Sequence, residues 1–173
     1  MSRQQRIVTE DVLIGLGSNL GESRQLLAAA LARLQVYAAG PVRVSTCWRT
    51  SPVGCEPGTP DFHNAAAAFR PVKGLSPETL FAGLQAIEQA LVGGGPVAPN
   101  APRALDLDLL LFGDQRCTSP RVVPHPRALG RRFVLAPAMQ VAPHSLWPGT
   151  GKTISELYLE LTSAESVFDL GYL

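Results

Sequence analysis

Apolar positions recur along this chain with two different periods, and the switches between them mark its elements. Asp11-Val-Leu-Ile-Gly-Leu-Gly17 is a short apolar run closed by Ser18-Asn19, which predicts a buried strand. From Glu22 to about Tyr37, Leu26, Leu27, Ala30, Leu31 and Leu34 return at helical spacing, so an amphipathic helix follows until Gly40-Pro41 stops it. Val42 to Arg49 alternates as a second strand would. Thr50 to Pro60 carries three prolines and two glycines, too many for regular structure. Phe62 to Phe69 reads as a third strand. Ser76-Pro77 offers an N-cap with proline at the first helical position, and Leu80, Leu84, Ile87 and Leu91 continue one face to Gly93-Gly94-Gly95. After a loop at Val97 to Pro102, Leu105 to Phe112 is the clearest strand, closed by Gly113-Asp114. Proline-punctuated pieces follow, then a short apolar helix near Phe133 to Met139 and a last helix from about Thr153.

That order, β-α-β-β-α-β with a C-terminal extension, predicts an α+β ferredoxin-like sandwich whose crossover helices lie on one face. The 173 residues contain no repeat and no long linker, so a single domain over 1–173 is expected. With 46% hydrophobic residues the chain can fill one core. Fifteen basic against 14 acidic side chains argue against general nucleic-acid or anionic-membrane binding. No apolar run nears the roughly 20 residues of a membrane span, and Met1 to Asp11 lacks a signal-peptide pattern. Cys47, Cys55 and Cys117 have no metal-ligand spacing, so free thiols and a cytoplasmic location are expected. No coiled-coil seam is visible, so the chain is expected to be a monomer.

Several motifs look like chemistry without meeting its requirements. Gly149-Thr-Gly-Lys-Thr153 resembles the end of a P-loop, but Leu146 stands where a glycine is needed and no strand feeds it, so a surface turn is expected. Gly15-Leu-Gly17 has its third glycine displaced to Gly21, so a tight strand-to-helix turn is expected rather than a dinucleotide fingerprint. His63, His125 and His144 lack zinc spacing. The strands also lack the paired aromatics of an RNA-binding sheet.

Arg103-Ala-Leu-Asp106-Leu-Asp108-Leu-Leu-Leu-Phe112 is different. Strand alternation puts Asp106 and Asp108 on one face and Leu105, Leu107 and Leu109 on the other. Carboxylates ~7 Å apart repel each other, and flanking leucines desolvate them, so a hard divalent cation such as Mg²⁺ is the natural partner. A solvent-facing strand edge with two merely polar aspartates is the competing explanation. The arginines favour the first. Lysine occurs only at Lys73 and Lys152, and six of the 13 arginines fall between Arg103 and Arg132. Arginine's planar fork suits phosphate, and magnesium, carboxylates and arginine together describe phosphoryl transfer.

This stretch resembles the signature of the 6-hydroxymethyl-7,8-dihydropterin pyrophosphokinase family of the folate pathway. Pro99-Asn-Ala-Pro-Arg103-Ala-Leu-Asp106-Leu-Asp108-Leu-Leu departs from it only at Pro99, where the family has a basic residue. Ile14-Gly-Leu-Gly-Ser-Asn-Leu20, Arg49-Thr-Ser-Pro-Val-Gly54, Pro60-Asp-Phe-His-Asn64, Arg121-Val-Val-Pro-His125 and Arg131-Arg-Phe-Val-Leu135 resemble further family segments in the correct order. The resemblance implies transfer of pyrophosphate from ATP to a reduced pterin, releasing AMP. It implies that Asp106 and Asp108 hold two Mg²⁺ ions and that Arg103 stabilises the transferring group. Phe62 and Phe133 would sandwich the pterin, Asn64 would bond its ring, and Thr50 and Val53 would line the pocket. Gln85, Glu88, Arg103, Arg121, His125 and Arg131 would face ATP. The loop before the aspartates departs from the family: Gly93, Gly95 and Asn100 stand where two arginines and a tryptophan are usual. Ser51 replaces a family proline, and one extra residue lies between Gly54 and Pro60. Arg116, Arg127 or Arg132 could replace the missing loop charge. The alternatives are a catalytically weakened pterin- or nucleotide-binding relative, a kinase for another pterin-like substrate, and an interaction domain with no small-molecule site.

Overall fold

The central strand β1 (Val12–Ser18) is the apolar run nearest the N-terminus, and it is flanked on both sides. The structure, a computed structural model, describes residues 11–93 and 101–173. After β1 come helix α1 (Ser23–Leu34), continued by a 3-10 turn at Gln35–Tyr37, then strands β2 (Arg43–Val44), β3 (Trp48–Thr50) and β4 (Phe62–Phe69). Helix α2 (Pro77–Val92), strand β5 (Asp106–Phe112), helices α3 (Arg132–Val141) and α4 (Ile154–Glu160), and strand β6 (Val167–Asp169) complete the order. The sheet runs β5-β1-β4-β3-β6, with β2 also on β4, and the pairings are antiparallel. Counting β2 and β3 as one strand gives the split β-α-β order expected from the sequence.

Alternation along β1 divides the interior. Val12, Ile14 and Leu16 join Leu27, Leu34, Leu80 and Leu84 beneath α1 and α2. Each such leucine, fully buried, contributes about 2 kcal/mol. Leu13 points the other way, to Ala66, Ala68, Leu110, Ala138, Trp147 and Ile154 beneath α3 and α4. The crossover helices therefore share one face, and the C-terminal extension covers part of the second, making three layers. A register shift opposite Leu13/Ile14 puts Leu110 and Leu111 both in this second cluster while Phe112 returns to the first.

Three local expectations are corrected. The predicted second strand is broken because Ser45 accepts the Ala66 N–H through its hydroxyl at 2.8 Å, where a continuous ladder would use a carbonyl. Gly15 and Gly17 lie within β1, and the chain turns after them, at Asn19–Glu22, where Gly21 has φ +68°. Strand β6, absent from the sequence reading, pairs with β3. The Gly149–Thr153 segment is the expected turn: Trp147 N–H donates to Lys152 O at 2.9 Å, and Thr153 caps α4.

Candidate active site

The register brings the chemistry to one end of the sheet. Gly17 pairs with Asp106 on one side and Asn64 on the other; Gly15 pairs with Asp108 and Ala66. Two glycines thus lie between the carboxylates and β4, on the face that carries Asp106, Asp108, Asn64 and Phe62. A Cβ at Gly17 would sit 3.0 Å from Asn64 Oδ1, so this row admits no side chain without displacing Asn64. Asn64 is buried and its Nδ2 donates to Thr50 Oγ1 at 2.7 Å. Thr50 itself is paired with Phe62.

Asn19 ties three segments around this end. Its Oδ1 accepts from Arg103 N at 2.8 Å, its own N–H donates to Arg103 O at 2.9 Å, and its Nδ2 donates to Pro60 O at 3.3 Å. Arg103, so anchored, places Nη1 2.6 Å from Asp106 Oδ1. Burial pushes both aspartates above the usual carboxylate range; the Asp108 charge adds to this for Asp106, and Arg103 opposes it for both. Arg131, Arg121 and Arg127 also pull on Asp108. A pair of half-buried, mutually repelling carboxylates beside a glycine floor is a donor set that a hard cation would relieve. Among the described residues no three His, Cys, Asp or Glu side chains gather to cage a metal. Two carboxylates suit a cation that takes its remaining ligands from water and phosphate.

His125 Nε2 lies 3.9 Å from Asp108 Oδ2, too far for a hydrogen bond. Its Nδ1 accepts from Arg127 N at 3.3 Å, which leaves the proton on Nε2, facing the carboxylates. Burial, then the Arg131 and Arg127 charges, hold its pKa down to about 4, so it is neutral at pH 7.

The other expected residues divide as follows. Arg121 stacks over Phe81, 5.2 Å from the ring centroid, one helical turn before Gln85 on α2. Gln85 is exposed. Glu88, on the same helix, is turned to β5, accepting Leu107 N–H at 2.6 Å; its contact is with the strand that carries the aspartates. Phe133 occupies the first turn of α3, with the Arg131 guanidinium 5.4 Å from its ring centroid. Val53 is exposed in the Thr50–Pro60 segment, whereas Thr50 and Asn64 are buried. Of the arginines considered as replacements for loop charge, Arg127 acts by its charge on Asp108 and donates its backbone N–H to His125, whereas Arg132 bonds Leu161 O and lies over Tyr158, and Arg116 packs on Gly149. Gly95 and Asn100 lie outside the described residues.

Sequence reasoning did not find the glycine floor, the Asn19 staple or Glu165, whose Oε2 accepts Phe133 N–H at 3.1 Å. The glycines and Asn19 stood in a quoted motif, but their roles depend on register. Glu165 had no signal, being one acidic residue in an aperiodic tail.

In fold, the chain is similar to Plasmodium falciparum HPPK-DHPS: the triple mutant with STZ-DHP superposes with a TM-score of 0.66 over 91% of this chain and 45% of that one, at 13% identity. The chain thus spans less than half of that larger protein. In sequence, a model of the 7,8-dihydro-6-hydroxymethylpterin-pyrophosphokinase family matches residues 13–143. The 2-amino-4-hydroxy-6-hydroxymethyldihydropteridine pyrophosphokinase of Synechocystis sp. is 38% identical over 147 residues, covering 84% of this chain and 73% of the relative. Its Pseudomonas aeruginosa counterpart is 39% identical over 150 residues, covering 84% and 88%. The chain belongs to the 7,8-dihydro-6-hydroxymethylpterin-pyrophosphokinase family.

Proposed function

We propose that this chain transfers pyrophosphate from ATP to 6-hydroxymethyl-7,8-dihydropterin in folate biosynthesis. The hydroxymethyl oxygen bonds to the β-phosphorus, the bond from that phosphorus to the α,β-bridging oxygen breaks, and AMP leaves while the hydroxyl proton is lost. The observation that carries the reading is the Asp106–Asp108 pair beside Gly17 and Gly15, with Arg103 Nη1 2.6 Å from Asp106 Oδ1 and the charges of Arg131, Arg121 and Arg127 acting on Asp108. Family membership supplies the substrates.

Asp106 and Asp108 would hold Mg²⁺, two ions with ATP, whose charge would neutralise the phosphates. Arg103, anchored by Asn19, bears on the transferring group, where one preorganised donor contributes on the order of 3 kcal/mol. Arg121, Arg131 and Gln85 face the nucleotide, with neutral His125 donating from Nε2. Thr50, Val53, Phe62, Asn64 and Phe133 form the pterin half, in which flat rings stack and the Asn64 amide reads the ring edge. Arg127 supplies charge that the 93–100 loop lacks.

Incubation with ATP, Mg²⁺ and 6-hydroxymethyl-7,8-dihydropterin, followed by ³¹P NMR, is expected to show AMP and pterin pyrophosphate in equal amounts. Asp106→Ala should cut the rate by roughly a hundredfold or more. ATP left intact by the wild-type chain would refute the kinase and leave a pterin- or nucleotide-binding relative.

A further inference from the structure

The tail after α4 touches both sides of the pterin half. Val167 pairs with Thr50 in the β3–β6 ladder, and Ser51 N–H donates to Ser166 O at 3.2 Å. One residue earlier, Glu165 accepts the Phe133 N–H. Thr50 is paired in turn with Phe62. A continuous line of contacts therefore runs Phe62–Thr50–Val167–Ser166–Glu165–Phe133, and its ends are the two rings assigned to the pterin. The same tail is tied to the far end of α3, where Gln140 Nε2 donates to Asp169 Oδ2 at 3.4 Å.

Glu165 has two further effects on that wall. Helix α3 has no side-chain cap from its own N-cap residue, Arg131, so the Glu165 carboxylate satisfies a first-turn N–H that the helix leaves open. It also attracts the Arg131 guanidinium, which lies over the Phe133 ring. Residue 165 stands beyond the segment 13–143 that matches the family.

We propose that Glu165 is a positioning residue for pterin binding, a strut by which the C-terminal tail sets the first turn of α3, and with it the Phe133 ring, at a fixed distance from Phe62. The proposal rests on the pterin pyrophosphokinase reading. A carboxylate that only capped a helix would change stability and leave the substrate constants alone. A strut acts on one substrate of the two.

The test compares the full-length wild type with Glu165→Ala and with Glu165→Gln, which keeps an acceptor oxygen. Steady-state constants for the pterin and for Mg-ATP are measured, together with pterin binding by calorimetry in the presence of a non-hydrolysable ATP analogue. Glu165→Ala is expected to raise the pterin KM and Kd about tenfold while the ATP KM stays within about twofold, and Glu165→Gln to recover most of the loss. A pterin KM unchanged in Glu165→Ala, with only the thermal midpoint lowered, would overturn the strut. Equal movement of both KM values would overturn it as well, as would a Glu165→Gln no better than alanine. A wild type that binds pterin without turning over would remove the kinase reading and leave the three binding constants to decide on Glu165. A wild type that binds no pterin would overturn both.

Discussion

Glu88 shows how a single side chain couples helix, strand and pH. Its carboxyl is pushed up to about 7, first by burial, with the Asp106 and Asp108 charges adding to this and the Leu107 N–H bond and Arg103 opposing it. A carboxyl that binds its proton more tightly in the folded chain than in the unfolded one favours folding below its unfolded pKa. That contribution fades as the pH rises through the folded value. For Glu88 the window runs from about 4.5 to about 7. In Glu88→Gln an amide oxygen still accepts Leu107 N–H and nothing titrates. With metal chelated, the wild-type melting midpoint is therefore expected to fall relative to the variant across that window, leaving the variant a few degrees ahead at pH 8. Midpoints that stay parallel from pH 4 to 8 would show that Glu88 does not titrate there. The aspartates were legible in the sequence because two carboxylates two residues apart among leucines need an explanation. Glu88 was legible only through the family, and its actual partner, a backbone N–H across the β5 interface, carries no sequence signal.

Elements were legible where one period ran long enough to bury a stripe. Helix α2 begins as Ser76-Pro77 foretold, with Ser76 Oγ accepting Thr79 N–H at 3.2 Å, and β5 differs from expectation by one residue. The break at Ser45 was not legible, because Val42 to Arg49 alternates through it and the interruption comes from a hydroxyl bonding across to β4. Nor was β6, whose three residues fix no period; it is a strand because β3 offers it an edge. Helix α4, with seven residues, depends on its start. Thr153 and Glu156 form a reciprocal capping box there, Glu156 N–H donating to Thr153 Oγ1 at 3.2 Å. Thr153→Ala is expected to cost about 1 kcal/mol, a shift of roughly 2–4 °C in the thermal midpoint of a chain this size. An unshifted calorimetric midpoint would mean that packing of Ile154 alone holds the helix.

At the scale of the molecule, the second face of the sheet depends on residues beyond the family segment. Trp147 and Ile154, 3% and 0% exposed, close the cluster over Leu13, Ala66 and Leu110. A chain ending at Pro143 would bare that cluster, and losing two large buried side chains exceeds what one marginally stable domain can spare. Such a truncation is expected to bind a hydrophobic dye and to melt without a cooperative transition. A sharp melt would show that the family segment folds alone. The three layers were only partly legible, since the crossover rule placed α1 and α2, and nothing in the periodicity of α3 and α4 assigned them a face.

The return of the tail to β3 also hides a thiol. Cys47 is 0% exposed; its N–H donates to Gly171 O and its carbonyl accepts Leu170 N–H, while Arg24 holds the carbonyls of Leu170 and Tyr172 from α1. The residue belongs to the core cluster beneath α1 and α2, against which Leu173 packs, so a disulfide reagent reaches that sulfur only when this part of the fold opens. In a chain with serine at positions 55 and 117, the rate of Cys47 labelling would therefore count those openings one by one, a clock already wired into the wild-type fold.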